Sequence, residues 1–157
     1  RSVKPRNRVY VPVIIGLAFA LADLSAAAVI FSPLDYDTAF TTSKPFAFSI
    51  LFYISEALYM ESLFHAVPFT LLMFLVKKYL PPLFHNTSFW LMAFIITFLE
   101  RVIYLPDAPL AFVIYTFISG TAFNLIQALN YKKYGFLASL FIRVGYYMLS
   151  HLLKTAS

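Results

Sequence analysis

No cysteine occurs among the 157 residues, which excludes a disulfide framework, a thiolate metal site and a cysteine nucleophile. Charge is nearly as scarce. Asp, Glu, Lys and Arg together make up 12% of the chain, too little to cover a soluble domain of this size. The four glycines form no phosphate-binding loop. Neither a nucleophile elbow nor a closely spaced histidine pair is present, and no internal repeat or low-complexity tract is visible.

What remains is apolar: 61% hydrophobic residues, 19% aromatic residues and a mean hydropathy of +0.79. Because a bilayer-spanning helix needs about 20 apolar residues, the chain has room for about five. The expected fold is an all-α, polytopic transmembrane bundle forming a single domain over residues 1–157. Its expected spans are 9–31, 45–76 with a kink near Pro68, 88–105, 110–129 and 135–153. Pro68 lacks a backbone donor and crowds the preceding turn. The first apolar stretch is too long for a signal peptide and lacks a clear cleavage site, so it reads as a retained span.

The net charge of +5 does not point to nucleic acid. Ten of the twelve Lys and Arg residues fall at segment ends, where topology signals and headgroup contacts belong. Arg1, Lys4, Arg6, Arg8, Lys77, Lys78, Lys132 and Lys133 fall on one side, against Lys44 and Lys154 on the other. Asp35, Asp37 and Asp107 share that other side. The positive-inside rule therefore predicts a cytoplasmic amino terminus and a carboxyl terminus outside. The expected partners are the lipid bilayer and other membrane proteins, with no nucleic acid.

Arg143 stands about halfway along the last span, where hydrocarbon offers a guanidinium no water. Four of the seven acids, Asp23, Glu56, Glu61 and Glu100, also lie within spans and are the candidate partners of Arg143. Glu61 and His65 are four apart and share a helical face; Glu56 points about 140° away from Glu61. Asn124 and Gln127, three apart, face one way, with Gly120 allowing close approach of another helix. The expected buried polar network comprises Asp23, Glu56, Glu61, His65, Asn124, Gln127 and Arg143. Glu100 and Arg101, near a span end, are expected to snorkel toward headgroups. His65, His85 and His151 lack metal-ligand spacing, so no metal or other cofactor is expected.

Residues 55–152 resemble the core of the CAAX-processing and bacteriocin-processing (CPBP, or Abi) intramembrane endopeptidases. Met60-Glu61-Ser62-Leu63-Phe64-His65 is similar to that family's Glu-Glu-x-x-x-Arg motif, with the first Glu and the Arg replaced. Phe98-Leu99-Glu100-Arg101-Val102 is similar to its Phe-x-x-x-His motif, with Val102 where the His belongs. The run from Asn130 to Leu140 is similar to its turn before the last helix, whose His would fall at Val144, beside Arg143. The resemblance implies a peptidase in which the motif Glu activates water. Only Glu61 remains to do so, and a carboxylate paired with Arg143 is a poor general base. The expected function is a non-catalytic, CPBP-like subunit or binding partner in a membrane assembly. The alternatives are a divergent endopeptidase using Glu61, with His65 in support, and a small proton-coupled carrier.

Overall fold

A computed structural model describes residues 6–30, 46–106 and 109–156, and every element in them is helical. A π-helical turn, Arg6–Tyr10, leads into α1 (Val11–Ile30). Then come α2 (Phe46–Glu61), a second π-turn (Ser62–Ala66), α3 (Val67–Tyr79), α4 (Pro82–Ile103), α5 (Leu110–Tyr134) and α6 (Phe136–Ala156). Four stretches, Arg6–Ala26, Ile50–Tyr79, Pro82–Ile103 and Leu110–Tyr134, are long and apolar enough to cross a membrane. Phe136–Ser150 of α6 is a shorter apolar helix. Arg1, Lys4, Asp35, Asp37, Lys44 and Asp107 lie outside the described residues.

The helices overrun several sequence-based boundaries. The third expected span starts at 88, yet α4 begins at Pro82, because proline suits a first helical turn and its missing donor would be unpaired there anyway. Residues His85, Asn86 and Thr87 make that turn too polar to register as a span. Helix α5 runs five residues past 129 and stops at Gly135, whose φ of 91° suits glycine and whose N–H donates to Tyr131 O. That single residue turns the chain back into α6.

The expected kink near Pro68 takes the form of the π-turn just before it. Val67 N–H donates to Ser62 O, five residues back. The Pro68 ring would crowd the Phe64 carbonyl in a regular α-turn, and widening the preceding turn relieves that clash. Glu61 closes α2 and His65 lies within the widened turn, so the irregularity falls at the polar core.

Helix α1 makes its most extensive contact with α6. Gly16 and Gly145 permit it: a Cβ on Gly16 would lie 2.0 Å from Ile142 O, and one on Gly145 2.7 Å from Val13 O. Such backbone-to-backbone approach is how helices associate where lipid removes the hydrophobic drive between them. The pairs Phe19 with Phe123 and Asp23 with Ser119 run in opposite directions along α1 and α5. Since α5 and α6 form a hairpin, α1 and α6 run the same way. A second contact zone joins α3, α4 and α5, where Phe69 stacks on Phe89 and Tyr131. Large apolar side chains such as Phe74, Leu91 and Phe98 face outward, while the interior holds carboxylates, amides and a guanidinium beside apolar residues such as Phe69, Phe89 and Ile142. An exterior of large apolar side chains suits a hydrocarbon solvent.

Candidate functional site

Arg143 lies at the centre of a buried polar cluster drawn from four helices. Its Nη1 donates to Glu100 Oε1 at 3.1 Å, its Nη2 donates to Gln127 Oε1 at 3.0 Å, and its Nε stands 3.4 Å from Glu61 Oε2. Gln127 Nε2 donates in turn to Glu61 Oε2 at 3.0 Å and to Ser139 O at 3.3 Å. These contacts fix the orientation of the amide, since its oxygen must meet the guanidinium. Asn124 Nδ2 donates to Glu100 Oε2 at 2.8 Å. Glu61, Asn124 and Gln127 are all 0% exposed.

Arg101 completes the charge balance. Its Nη2 donates to Glu100 Oε1 at 3.2 Å, and its guanidinium lies over Gly120, where a Cβ would come within 2.1 Å of Nη1. Two carboxylates thus meet two guanidiniums, and the cluster carries no net charge. Gly120, expected to admit a neighbouring helix, instead makes room for this side chain.

The expectation that Glu100 and Arg101 snorkel to headgroups is overturned. Glu100 is 1% exposed, and Arg101 turns inward to meet it. A helical side chain leans toward its own amino terminus, which on α4 leads back into the bundle. A signal for Glu100 was available in helical phase: Phe89, Met92, Ala93, Ile96, Thr97 and Glu100 form one buried stripe.

His65 lies beside the cluster, 1% exposed, with Nδ1 3.5 Å from Glu61 Oε2 and its ring stacked on Phe69. That separation is too long and unaligned for a firm hydrogen bond. Glu61 Oε1, both His65 nitrogens, Asn124 Oδ1 and Ser139 Oγ are buried without a hydrogen-bond partner in the protein. No group of three metal-ligating side chains occurs among the described residues.

Asp23, expected in the same network, forms a separate site with α5 and α6. Tyr115 Oη and Ser119 Oγ donate to its Oδ1 at 2.7 and 2.6 Å, and Tyr146 Oη donates to its Oδ2 at 2.7 Å. Tyr115 and Ser119 escaped the sequence reading, although a hydroxyl or a second basic group was the expected partner of Asp23 and Tyr146 stood out near the outer end of the last span. The i,i+4 spacing of Tyr115 and Ser119 on an apolar helix was the available clue. Phe123 stands between the two sites, its ring centroid 5.0 Å from that of Tyr146 and 6.0 Å from Arg143 Cζ. Glu56 is half-buried on α2, one helical face away from Glu61, near Tyr53 and Tyr147.

Chemically, the Arg143 cluster is a neutral, cross-linked hub, and the Asp23 site is a carboxylate held by hydroxyls. Compared with protein-family models, curated proteins and solved structures, the chain has no match.

Proposed function

We propose that this chain is a non-catalytic, multi-pass membrane protein that serves as a subunit or binding partner in a larger membrane assembly. The observation that carries the reading is the enclosure of Glu61. The carboxylate on which hydrolytic chemistry would depend is fully buried, with Oε2 held by Gln127 and faced by Arg143. A general base needs access to water, which full burial denies this carboxylate. On this reading the CPBP-like motifs are retained for packing, and an ion pair occupies the place of a reactive centre. The proposed orientation puts the amino terminus in the cytoplasm and the carboxyl terminus outside, supported by the gathering of Arg6, Arg8, Lys77, Lys78, Lys132 and Lys133 at one end of the bundle.

The test is reconstitution with a membrane-anchored peptide, prenylated and unprenylated, with and without divalent metal. The expected result is no cleavage by either the unmodified protein or Glu61→Gln. Cleavage lost on Glu61→Gln would establish the divergent endopeptidase instead. Mild solubilisation should recover the chain in a larger complex; a stable monomer with no partner would count against the subunit reading.

The Asp23 site supports a second reading, a small proton-coupled carrier, because a partly exposed carboxylate within a membrane helix is a candidate proton acceptor. Uptake into vesicles driven by a pH gradient and lost in Asp23→Asn would favour it.

A further inference from the structure

The end of the bundle where α3 stops, α4 starts and α5 stops combines two features that a lone topology signal does not require. The first is a set of cations held against aromatic rings. Lys132 Nζ donates to Asn86 Oδ1 and lies over the rings of Phe89 and Trp90, at 4.5 and 5.5 Å from their centroids. Lys78 and Lys133 lie over Tyr79 and Tyr134. No acidic residue among the described residues occurs in Lys77–Asn86 or Asn130–Phe136 to neutralise them.

The second feature is an exposed apolar ledge beside those cations. Leu83 is 82% exposed and Phe84 50%, in the first turn of α4 directly after the Leu80-Pro81 link. His85 Nε2 lies 3.0 Å from Leu80 O, bracing the turn. The first turn of α4 has no side-chain cap, so its backbone amides add positive potential at the same end.

Cations above an apolar ledge match one class of partner, an amphiphile with an anionic head and hydrocarbon tails. We infer that the α3–α4–α5 end is a binding site for an anionic phospholipid, its phosphate on Lys77, Lys78 and Lys132 and its acyl chains along Leu83 and Phe84. A soluble anion would use the lysines and leave the ledge bare; an acidic protein segment would not need the ledge at bilayer depth. The bilayer also supplies the lipid at high local concentration, and juxtamembrane basic clusters recognise such headgroups.

Trp90, the sole tryptophan, lies under Lys132 and reports on this site in the unmodified protein. The protein is reconstituted in phosphatidylcholine bilayers doped with brominated phosphatidylglycerol or with brominated phosphatidylcholine. The expected result is half-maximal Trp90 quenching at an at least tenfold lower mole fraction of the anionic lipid. Lys77→Gln/Lys78→Gln/Lys132→Gln should abolish that preference, since about two orders of magnitude in affinity follow from three interfacial lysines. Arg6→Gln/Arg8→Gln should keep it, although it also removes positive charge from the same face. Equal quenching by both lipids, or equal loss in both variants, would overturn the proposal. So would reversal of the preference by millimolar inorganic phosphate at constant ionic strength, which would assign the lysines to a free anion. Should the triple variant fail to fold, the wild-type quenching comparison decides alone.

Discussion

Arg143 of α6 and Glu100 of α4 are joined by a 3.1 Å hydrogen bond in which both side chains are almost wholly buried. The pair is separated by 43 positions in the chain and closes the bundle across α5. Its partners Glu61 and Gln127 tie in α2 and hold the guanidinium in a single orientation.

Replacing Arg143 with Met leaves two buried carboxylates short of a cation. The expected loss of stability is about 3 to 5 kcal/mol, read from unfolding in mixed micelles. Arg101 still meets Glu100, so the uncompensated charge is on Glu61, and adding Glu61→Gln to Arg143→Met should recover part of that loss. A double variant no more stable than Arg143→Met alone would show that the cost comes from packing rather than charge.

The glycines should rank by what their missing Cβ would strike. Gly16→Ala drives a methyl into the Ile142 carbonyl, a backbone atom that yields only if α1 leaves α6; the expected cost is about 1 to 3 kcal/mol or more. Gly120→Ala meets the end of the Arg101 side chain, which can move, so it should cost less. Gly135→Ala meets open space and suffers only from its positive φ, at about 1 to 3 kcal/mol. Thermal unfolding in detergent, with cross-linking between α1 and α6, checks both order and cause: only Gly16→Ala should lower the cross-linking yield.

At the Asp23 site, Oδ1 accepts two hydroxyls and Oδ2 accepts one. Tyr146→Phe should therefore destabilise more than Tyr115→Phe or Ser119→Ala, because it alone leaves a carboxylate oxygen with no donor in this site. A hydrogen bond to a charged group contributes about 1.5 to 3 kcal/mol. The Tyr115→Phe/Ser119→Ala double variant should lose more than the sum of its single losses, as the second removal empties Oδ1. Additive losses would mean the two hydroxyls do not substitute for each other. The measurement is a double-mutant cycle on unfolding free energy.

The tie between α3 and α5 offers a fourth check. Thr70 Oγ1 and Tyr131 Oη lie 2.9 Å apart. Thr70 is exposed and the bond involves neutral groups, so Thr70→Val should cost only about 0.5 to 1.5 kcal/mol. A much larger loss would indicate that this bond, and not the Phe69 stack, holds α3 against the bundle.

The sequence by itself determined the all-helical membrane architecture, because long apolar runs leave no other way to satisfy backbone donors and acceptors in lipid. It also marked Arg143, Glu61 and Gln127 as interior polar residues, since each lies deep in an apolar run. Only the tertiary structure decided which groups meet. Helical periodicity gives the face a residue occupies but not the helix that face packs against, so Glu100 stood both among the candidate partners of Arg143 and at the interface, and Asp23 was placed in the wrong cluster. The destination of Arg101, over Gly120 and into the core, depends on how closely α4 and α5 approach, a distance no linear pattern encodes. The separation of two polar sites by Phe123 likewise required α1, α5 and α6 to be docked, because an aromatic ring insulates only what lies on its two sides.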